Sequence, residues 1–185
     1  MAIELFGVDR QADQDADGQE LVRRVAVGDR DAVAEIYDRY APGLYRLITA
    51  ILGATSDAED ALQNVFVMLA EGRANRARNL RAYLFQSARR EALQMLRRRR
   101  REAPLPVTDC AGTSDQTDRV DWQQLLSVLP VDQREVIAMK VYEQMTFEEI
   151  AAIVGGSANT AASRYRYGIA RLRSALGGED SHGEI

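Results

Sequence analysis

The residues best suited to contacting a partner molecule lie near the C-terminal end, on a predicted helix over 158–176. At about 100° per residue, one side of this helix carries polar side chains only. They are Thr160, Ser163, Arg164, Tyr167 and Arg171, with Asn159 just before them. Hydroxyl, guanidinium and phenol groups hydrogen-bond phosphates and base edges, so this face predicts a helix that lies in a DNA groove. The alternative is the solvated face of an ordinary helical bundle.

The neighbouring elements favour the DNA-binding interpretation. Ala162, Tyr165, Ile169 and Leu172 lie within a narrow arc on the opposite side of the same helix and predict its buried stripe. A shorter helix over 146–154 precedes it, with a capping box formed by Thr146 and Glu149 and a corner at Gly155 and Gly156. Two helices joined in this way predict a helix-turn-helix whose second helix enters the major groove.

A second candidate surface lies in residues 73–101, which contain eleven arginines and one acidic residue, Glu91. The segment therefore carries a formal charge of +10 in a chain whose net charge is −4. Arginine suits bidentate contacts to phosphate or guanine, although the base composition of a genome would produce the same excess without a function. The run 97–101 predicts phosphate binding without sequence reading, or only a solvated helix end.

The remaining elements are helical, so the sequence predicts an all-α fold of two small helical domains joined by a flexible linker. The C-terminal domain is the helix-turn-helix domain. A capping box of Ser56 and Glu59 starts one helix, and Asn79 caps another. The predicted helices are 19–27, 30–52 with a bend at Pro42 and Gly43, 56 to Gly72, 79–101, 121–129, 131–143, 146–154 and 158–176. The predicted domains are an acidic extension at 1–18, a first domain at 19–101, a linker at 102–119, a second domain at 120–177 and a tail at 178–185.

Composition excludes several classes of protein. The sequence has no apolar run of membrane-spanning length and does not begin like a secretory signal, which predicts a cytoplasmic protein. Cys110 and His182 are the single cysteine and histidine, so we expect no intramolecular disulfide, metal site or catalytic triad. We therefore predict a protein that is not an enzyme and that needs no cofactor or small-molecule substrate.

Three segments in order resemble one protein family. "DAEDALQNVFVMLAE" is similar to its DAEDxxQExFxxxW segment, and "NLRAYLFQSARREALQMLRRRRR" to its FRxWLxxIARNxAxDxxRRxRR helix. "LPVDQREVIAMKVYEQMTFEEIAAIVGGSANTAASRYRYGIARLRSAL" is similar to its LPxxxRxVxxLxxxEGxSxxEIAxxLGxSxGTVKSRxxRAxxxLR pattern. The family is the extracytoplasmic-function (ECF) group of the sigma-70 family of bacterial RNA polymerase sigma factors. The resemblance covers roughly residues 19–176.

The resemblance implies three binding surfaces. The first domain corresponds to sigma region 2 and the second to region 4, and the partners are core RNA polymerase, through its clamp helices and flap, and promoter DNA. For the clamp helices the implied contacts are Asp57, Asp60, Gln63, Asn64 and Phe66. For a melted minus-ten element with extruded bases they are Arg73, Asn75, Arg76, Arg78, Asn79, Arg81, Tyr83, Gln86, Arg89 and Arg90. For the minus-thirty-five element they are Asn159, Thr160, Ser163, Arg164, Tyr167 and Arg171. Core packing is the alternative for Phe66 and Tyr83.

Departures from the family pattern limit what the resemblance implies. Asn159 to Arg164 reads Asn-Thr-Ala-Ala-Ser-Arg where the pattern has Gly-Thr-Val-Lys-Ser-Arg, so the preferred promoter bases do not transfer. Tyr83 replaces a frequent tryptophan and Arg90 a frequent asparagine. An anti-sigma factor is a further candidate partner, and the regulon and inducing signal are not encoded in any recognisable motif. The rival hypothesis is a stand-alone helix-turn-helix regulator that binds operator DNA as a dimer.

Overall fold

The computed structural model describes residues 5–53, 55–75, 77–102 and 122–177, which contain eight helices and no strand. The helices are α1 (Leu5–Ala26), α2 (Arg30–Leu52), α3 (Thr55–Ala70), α4 (Leu80–Glu102), α5 (Trp122–Ser127), α6 (Val131–Val141), α7 (Phe147–Val154) and α8 (Ala158–Gly177). The predicted all-α class is confirmed. Within the described ranges, none of the helices is both long and apolar enough to span a membrane.

The first four helices form the N-terminal domain, with α2 packed against both α3 and α4. Asp29 begins α2 as its N-cap by accepting hydrogen bonds from the backbone amides of Asp31 and Ala32, and Gly53 ends it in the left-handed conformation. The helix continues through Pro42, which cannot donate to the preceding turn. The buried side chains of this domain include Ile36, Leu44, Leu47, Ile48, Ile51, Leu69, Leu84 and Phe85.

The predicted start of the first helix, at residue 19, is wrong, because α1 begins at Leu5. Glycine usually weakens the interior of a helix. In the structure Gly18 lies within α1, where a Cβ atom would come 3.1 Å from Cβ of Leu80. Gly18 therefore allows a close approach of α1 to α4 instead of ending the helix.

Of the two N-caps predicted for the next helices, the structure confirms one and contradicts the other. Asn79 caps α4 as predicted, since its Oδ1 accepts a hydrogen bond of 2.7 Å from the amide of Ala82. The predicted N-cap at Ser56 is wrong, because α3 already includes Thr55 and Ser56 lies in its first turn. Gly72 follows the end of α3 at a positive φ of 77°.

The helix-turn-helix prediction is confirmed by α7 and α8. Thr146 Oγ1 accepts from the amide of Glu149, and the Glu149 carboxylate accepts from the amide of Thr146, which completes the predicted capping box. Gly155 and Gly156 turn the chain with φ of 83° and 104°, values that favour glycine. These two glycines therefore form the turn between α7 and α8.

The buried side of α8 differs from the predicted stripe. Ala161, Gly168 and Leu172 are buried, whereas Ala162 and Ile169 are only half-buried. A Cβ atom at Gly168 would lie 2.6 Å from Cδ1 of Ile137, so the missing side chain lets α8 lie directly on α6. This close approach determines which side of α8 faces inward, and the spacing of apolar residues alone did not reveal it.

The two domains pack against each other. Met139, Met145, Ile150 and Ile153 of the C-terminal domain belong to the same apolar cluster as the α2–α4 core. Ala50 of α2 packs in a second cluster with residues of α5, α6 and α8. The predicted linker and tail lie outside the described residues, except that Glu102 ends α4.

Candidate nucleic-acid interface

The polar face of α8 is open to solvent in the part where base contacts were predicted. Ser157 precedes the helix, and its Oγ accepts a hydrogen bond of 3.2 Å from the amide of Thr160. Asn159 and Thr160 are exposed, and Tyr167 is 68% exposed. Arg171 is also exposed, so these side chains are available to a DNA groove.

Two members of the predicted face are held by side chains near them. Arg164 is half-buried, and its Nε lies 3.4 Å from Oδ2 of Asp132 at the start of α6. Ser163 Oγ accepts a hydrogen bond of 3.2 Å from Arg166. Asp132 was not predicted as part of this site, because it is distant from α8 in sequence and no local pattern connects the two.

Several of the predicted minus-ten residues are exposed, and the others described on α4 and just before it are half-buried or contact the C-terminal domain. Arg73, Asn75, Arg78 and Arg90 are exposed, and Arg73 lies 2.9 Å from Glu71. The remaining arginine of that loop, Arg76, lies outside the described residues.

Two of the predicted minus-ten residues have roles within the domain. Asn79 caps α4, and Tyr83 is half-buried against the apolar core of the N-terminal domain. The alternative of core packing for Tyr83 therefore has structural support.

Two of the predicted minus-ten residues on α4, the half-buried Arg89 and the exposed Gln86, contact the C-terminal domain. Arg89 donates two hydrogen bonds to Glu135 of α6, from Nε at 2.7 Å and from Nη2 at 3.1 Å. Gln86 donates from Nε2 to the carbonyl oxygen of Ala152 in α7 at 2.8 Å. These side chains are engaged within the chain, which the sequence did not indicate.

Glu135 has an unusual environment for a carboxylate, since its side chain is 1% exposed. Burial raises the pKa of Glu135, and the hydrogen bonds and positive charge of Arg89 oppose that rise. Arg164 also acts to lower the pKa, and Asp132 adds to the rise. Glu135 thus depends on arginines from both α4 and α8 for its ionised form.

A second contact between the domains centres on Glu143, just after α6. Its Oε1 accepts a hydrogen bond of 2.8 Å from Arg46 of α2, and its carbonyl oxygen accepts one of 2.6 Å from Nη2 of Arg81. Arg81 also lies 3.6 Å from Glu149. The carboxylate covers Gly43, where a Cβ atom would lie 2.6 Å from Oε2 of Glu143.

The predicted polymerase contacts lie on α3, and three of them, Asp60, Gln63 and Asn64, are exposed. Phe66 is 8% exposed, and its ring lies 4.8 Å from the ring of Tyr37, which is 48% exposed. Phe66 therefore packs in the core and supports an exposed tyrosine.

The fifth predicted polymerase contact, Asp57, is tied to the arginine run at the end of α4. Its Oδ2 lies 2.6 Å from Nε of Arg99. Arg98 lies 3.7 Å from Glu102, and Arg97, Arg100 and Arg101 are exposed. The run is therefore partly paired within the protein and partly presented to solvent. The described residues contain no group of acidic, histidine or cysteine side chains that could hold a metal ion.

The fold and these surfaces define a two-domain helical protein with a helix-turn-helix, and comparison with known proteins identifies its family. Residues 36–102 match the Sigma-70 region 2 family, and residues 119–172 match the Sigma-70, region 4 family. The chain belongs to the sigma-70 family, in the group of ECF RNA polymerase sigma factors.

Individual relatives agree with this assignment. The chain is 27% identical over 164 residues to the ECF RNA polymerase sigma factor SigM of Mycobacterium tuberculosis, covering 85% of this chain and 84% of the relative. It is 29% identical over 175 residues to the ECF RNA polymerase sigma factor SigK of Mycobacterium sp. strain KMS. That match covers 85% of this chain and 89% of the relative.

Solved structures show the same fold. A structure of the sigma factor RpoE in complex with the anti-sigma factor NepR from Bartonella quintana has a TM-score of 0.64 and 25% identity, covering 78% of this chain and 96% of that chain. A structure of CnrH in complex with the cytosolic domain of CnrY has a TM-score of 0.63 and 23% identity. The match covers 88% of this chain and 98% of that chain. The chain is thus a sigma factor that directs RNA polymerase to promoters.

Proposed function

We propose that the two surfaces described above divide promoter recognition between them. The exposed face of α8 reads the minus-thirty-five element through Asn159, Thr160, Ser163, Arg164, Tyr167 and Arg171. The α4 face and the loop before it contact the melted minus-ten element through Arg73, Asn75, Arg76, Arg78, Asn79, Arg81, Tyr83, Gln86, Arg89 and Arg90. The observation that carries the proposal is the presence of an arginine-rich helix and a helix-turn-helix in one chain that matches regions 2 and 4 of the family.

The exposed side of α3 is the proposed docking surface for core polymerase, through Asp57, Asp60, Gln63, Asn64 and Phe66. Phe66 acts indirectly, because its ring supports the exposed Tyr37. The apolar parts of α5 and α8 are the proposed contact for the polymerase flap. Catalysis then belongs to the polymerase, and the protein needs no cofactor of its own and acts in the cytoplasm.

An anti-sigma factor is a proposed further partner. The similarity to the RpoE structure, which contains the anti-sigma factor NepR, supports this proposal. Such a partner would cover surfaces used for polymerase or DNA.

In vitro transcription tests the function directly. Core polymerase is incubated with fragmented genomic DNA of the source bacterium, with and without this protein, and transcript 5′ ends are mapped. We expect new, discrete start sites that appear only when the protein is present and that share two upstream elements. A variant with Tyr167→Ala and Arg171→Ala removes two side chains of the proposed minus-thirty-five surface and should lose those start sites.

The rival hypothesis of a stand-alone regulator gives a different outcome. A regulator would protect specific duplex sites without polymerase, and adding core enzyme would yield no new start sites. That result would contradict the proposed division of promoter recognition.

A further inference from the structure

We infer that Asp132 is a positioning residue for Arg164 and thereby sets the sequence specificity of the minus-thirty-five surface. Asp132 lies in the first turn of α6 and is not among the residues proposed for that surface, all of which belong to α8. The inference rests on the proposed function of α8 and deepens it, because it names the group that keeps one reading side chain in place.

The contact between the two residues occupies only the inner part of the arginine. Asp132 Oδ2 lies 3.4 Å from Nε of Arg164, the guanidinium nitrogen next to the aliphatic part of the side chain. A guanidinium held at Nε still has two terminal nitrogens, which can bind O6 and N7 of guanine together. The Arg164 side chain is 31% exposed, so it is both held in place and open to a partner.

The position of Asp132 relative to α8 is fixed by close packing of the two helices. A Cβ atom at Gly168 would lie 2.6 Å from Cδ1 of Ile137 and 3.4 Å from Cβ of Gln133. Gly168 is one helical turn from Arg164, and Gln133 follows Asp132 directly. Since closely packed helices have little freedom to shift, Asp132 lies at a defined place beside Arg164.

Arg164 has two acidic neighbours, and only Asp132 is open to solvent. Glu135 interacts electrostatically with Arg164, but its side chain is 1% exposed and accepts two hydrogen bonds from Arg89. The Asp132 side chain is 49% exposed. Asp132 is therefore the carboxylate that shares Arg164 with an approaching DNA strand.

A carboxylate beside a base-reading arginine favours the correct sequence over general phosphate binding. Phosphates attract any free guanidinium irrespective of sequence, and this attraction supplies nearly all nonspecific DNA affinity. Asp132 partly neutralises Arg164 and so weakens that attraction. The paired hydrogen bonds to a guanine edge depend on orientation, which Asp132 preserves. Weakening the wrong interaction is a general way to obtain specificity.

An ion pair as exposed as this one contributes little to folding, so it can be substituted without loss of the domain. Asp132→Asn keeps the shape of the side chain and removes its charge, whereas Asp132→Glu keeps the charge. Asp31→Asn is the matched control. Asp31 is also an exposed acidic residue in the first turn of a helix, α2, and belongs to none of the proposed surfaces.

Fluorescence anisotropy measures binding of core polymerase with each full-length variant to two labelled duplexes. One duplex carries a promoter taken from the mapped start sites, and the other differs only in a scrambled minus-thirty-five element. Asp132→Asn should lower the ratio of the two affinities by about two- to fivefold, the effect of losing one exposed ion pair. On the scrambled duplex, the slope of log affinity against log salt should steepen by about 0.9, the value of one added phosphate contact. Asp132→Glu and Asp31→Asn should match the wild type.

A double-mutant cycle separates positioning from a general effect of charge. In the Arg164→Ala background, Asp132→Asn should change neither the affinity ratio nor the salt slope. The same effect of Asp132→Asn with and without Arg164 would mean that the acid acts through overall charge alone, and the inference would be wrong.

Three further results are distinguishable from one another. An unchanged ratio in Asp132→Asn, with Tyr167→Ala still lowering it, would overturn the inference and leave the proposed role of α8 intact. Lower thermal stability with an equal fall in both affinities would assign Asp132 a structural role and also overturn the inference. An unchanged ratio in both Tyr167→Ala and Arg164→Ala would remove the proposed role of α8 together with the inference.

Discussion

Arg89 and Glu135 join the two domains through a pair of hydrogen bonds of 2.7 and 3.1 Å. Glu135 is almost completely buried and Arg89 is one-quarter exposed, so this is not an ordinary surface ion pair. Removing Arg89 alone would leave a buried carboxylate without its principal partner, which is more damaging than removing both groups. Substitutions on either side must therefore be interpreted for their effect on domain packing as well as on DNA binding.

The packing of the two domains should depend on pH through Glu135. Burial raises the pKa of Glu135 above its ordinary value of 4.5 while the domains are packed together, whereas separated domains expose the carboxylate to water. The packed form then binds the proton more tightly, so lowering the pH through the window above 4.5 favours packing of the two domains. The charged groups around Glu135 are Arg89 from α4, Arg164 from α8 and Asp132 from its own helix.

Small-angle X-ray scattering checks this prediction. The radius of gyration should fall as the pH is lowered from neutral towards 5, and Glu135→Gln should remove that dependence because it cannot titrate. An equal response in Glu135→Gln would assign the pH dependence to other groups.

Substitutions on α8 should alter promoter selection without affecting polymerase binding. Tyr167→Ala and Arg164→Ala each remove a side chain from the proposed minus-thirty-five surface. Each should reduce promoter-dependent transcription by about tenfold, which corresponds to about 1.4 kcal/mol and lies within the range expected for the loss of one specific DNA contact. Arg173→Ala is the control, because Arg173 is exposed on α8 but is not part of the proposed minus-thirty-five surface. Equal effects of all three would contradict a specific role for the proposed minus-thirty-five surface.

Reversing charge on α3 should weaken binding to core polymerase. Asp60→Arg changes an exposed side chain on the proposed docking surface, and co-purification with tagged core enzyme should fall several-fold. Glu20→Arg on α1 makes the same change of charge elsewhere. Asp57→Arg is a less direct test because Asp57 also pairs with Arg99, so its effect includes the loss of a contact between α3 and α4. Normal co-purification of Asp60→Arg would remove Asp60 from the interface.

Loss of the α7 capping box should lower stability by a moderate amount. Thr146→Ala removes the hydroxyl that accepts from the amide of Glu149, and we expect the free energy of unfolding to fall by about 1 kcal/mol. Thr146→Ser keeps the acceptor and should lie close to wild type. Chemical denaturation followed by circular dichroism measures both, and a similar loss in the serine variant would show that the methyl group matters more than the cap.

Local signals in the sequence were sufficient for much of the fold. The caps at Asn79 and Thr146 and the glycine corner before α8 act within a few residues, and each is present in the structure. Gln144 is a position where the local sequence contains no such signal. It adopts a positive φ of 54°, a conformation that favours glycine, and the family pattern has glycine there.

Contacts between distant residues could not be predicted in the same way. Arg89 and Glu135 are 46 residues apart, and nothing in either neighbourhood indicates the other. The same applies to Glu143 over Gly43 and to Asp132 beside Arg164, which depend on how whole helices approach. The candidate surfaces were therefore predictable as sets of side chains, but their partners within the chain were not.

The bare backbone of Gly168 has a mechanical consequence. Because Gly168 lets α8 pack directly on Ile137 of α6, the exposed face of α8 is held at a fixed position relative to α6. A larger residue at position 168 would push the two helices apart and change the direction in which that face points.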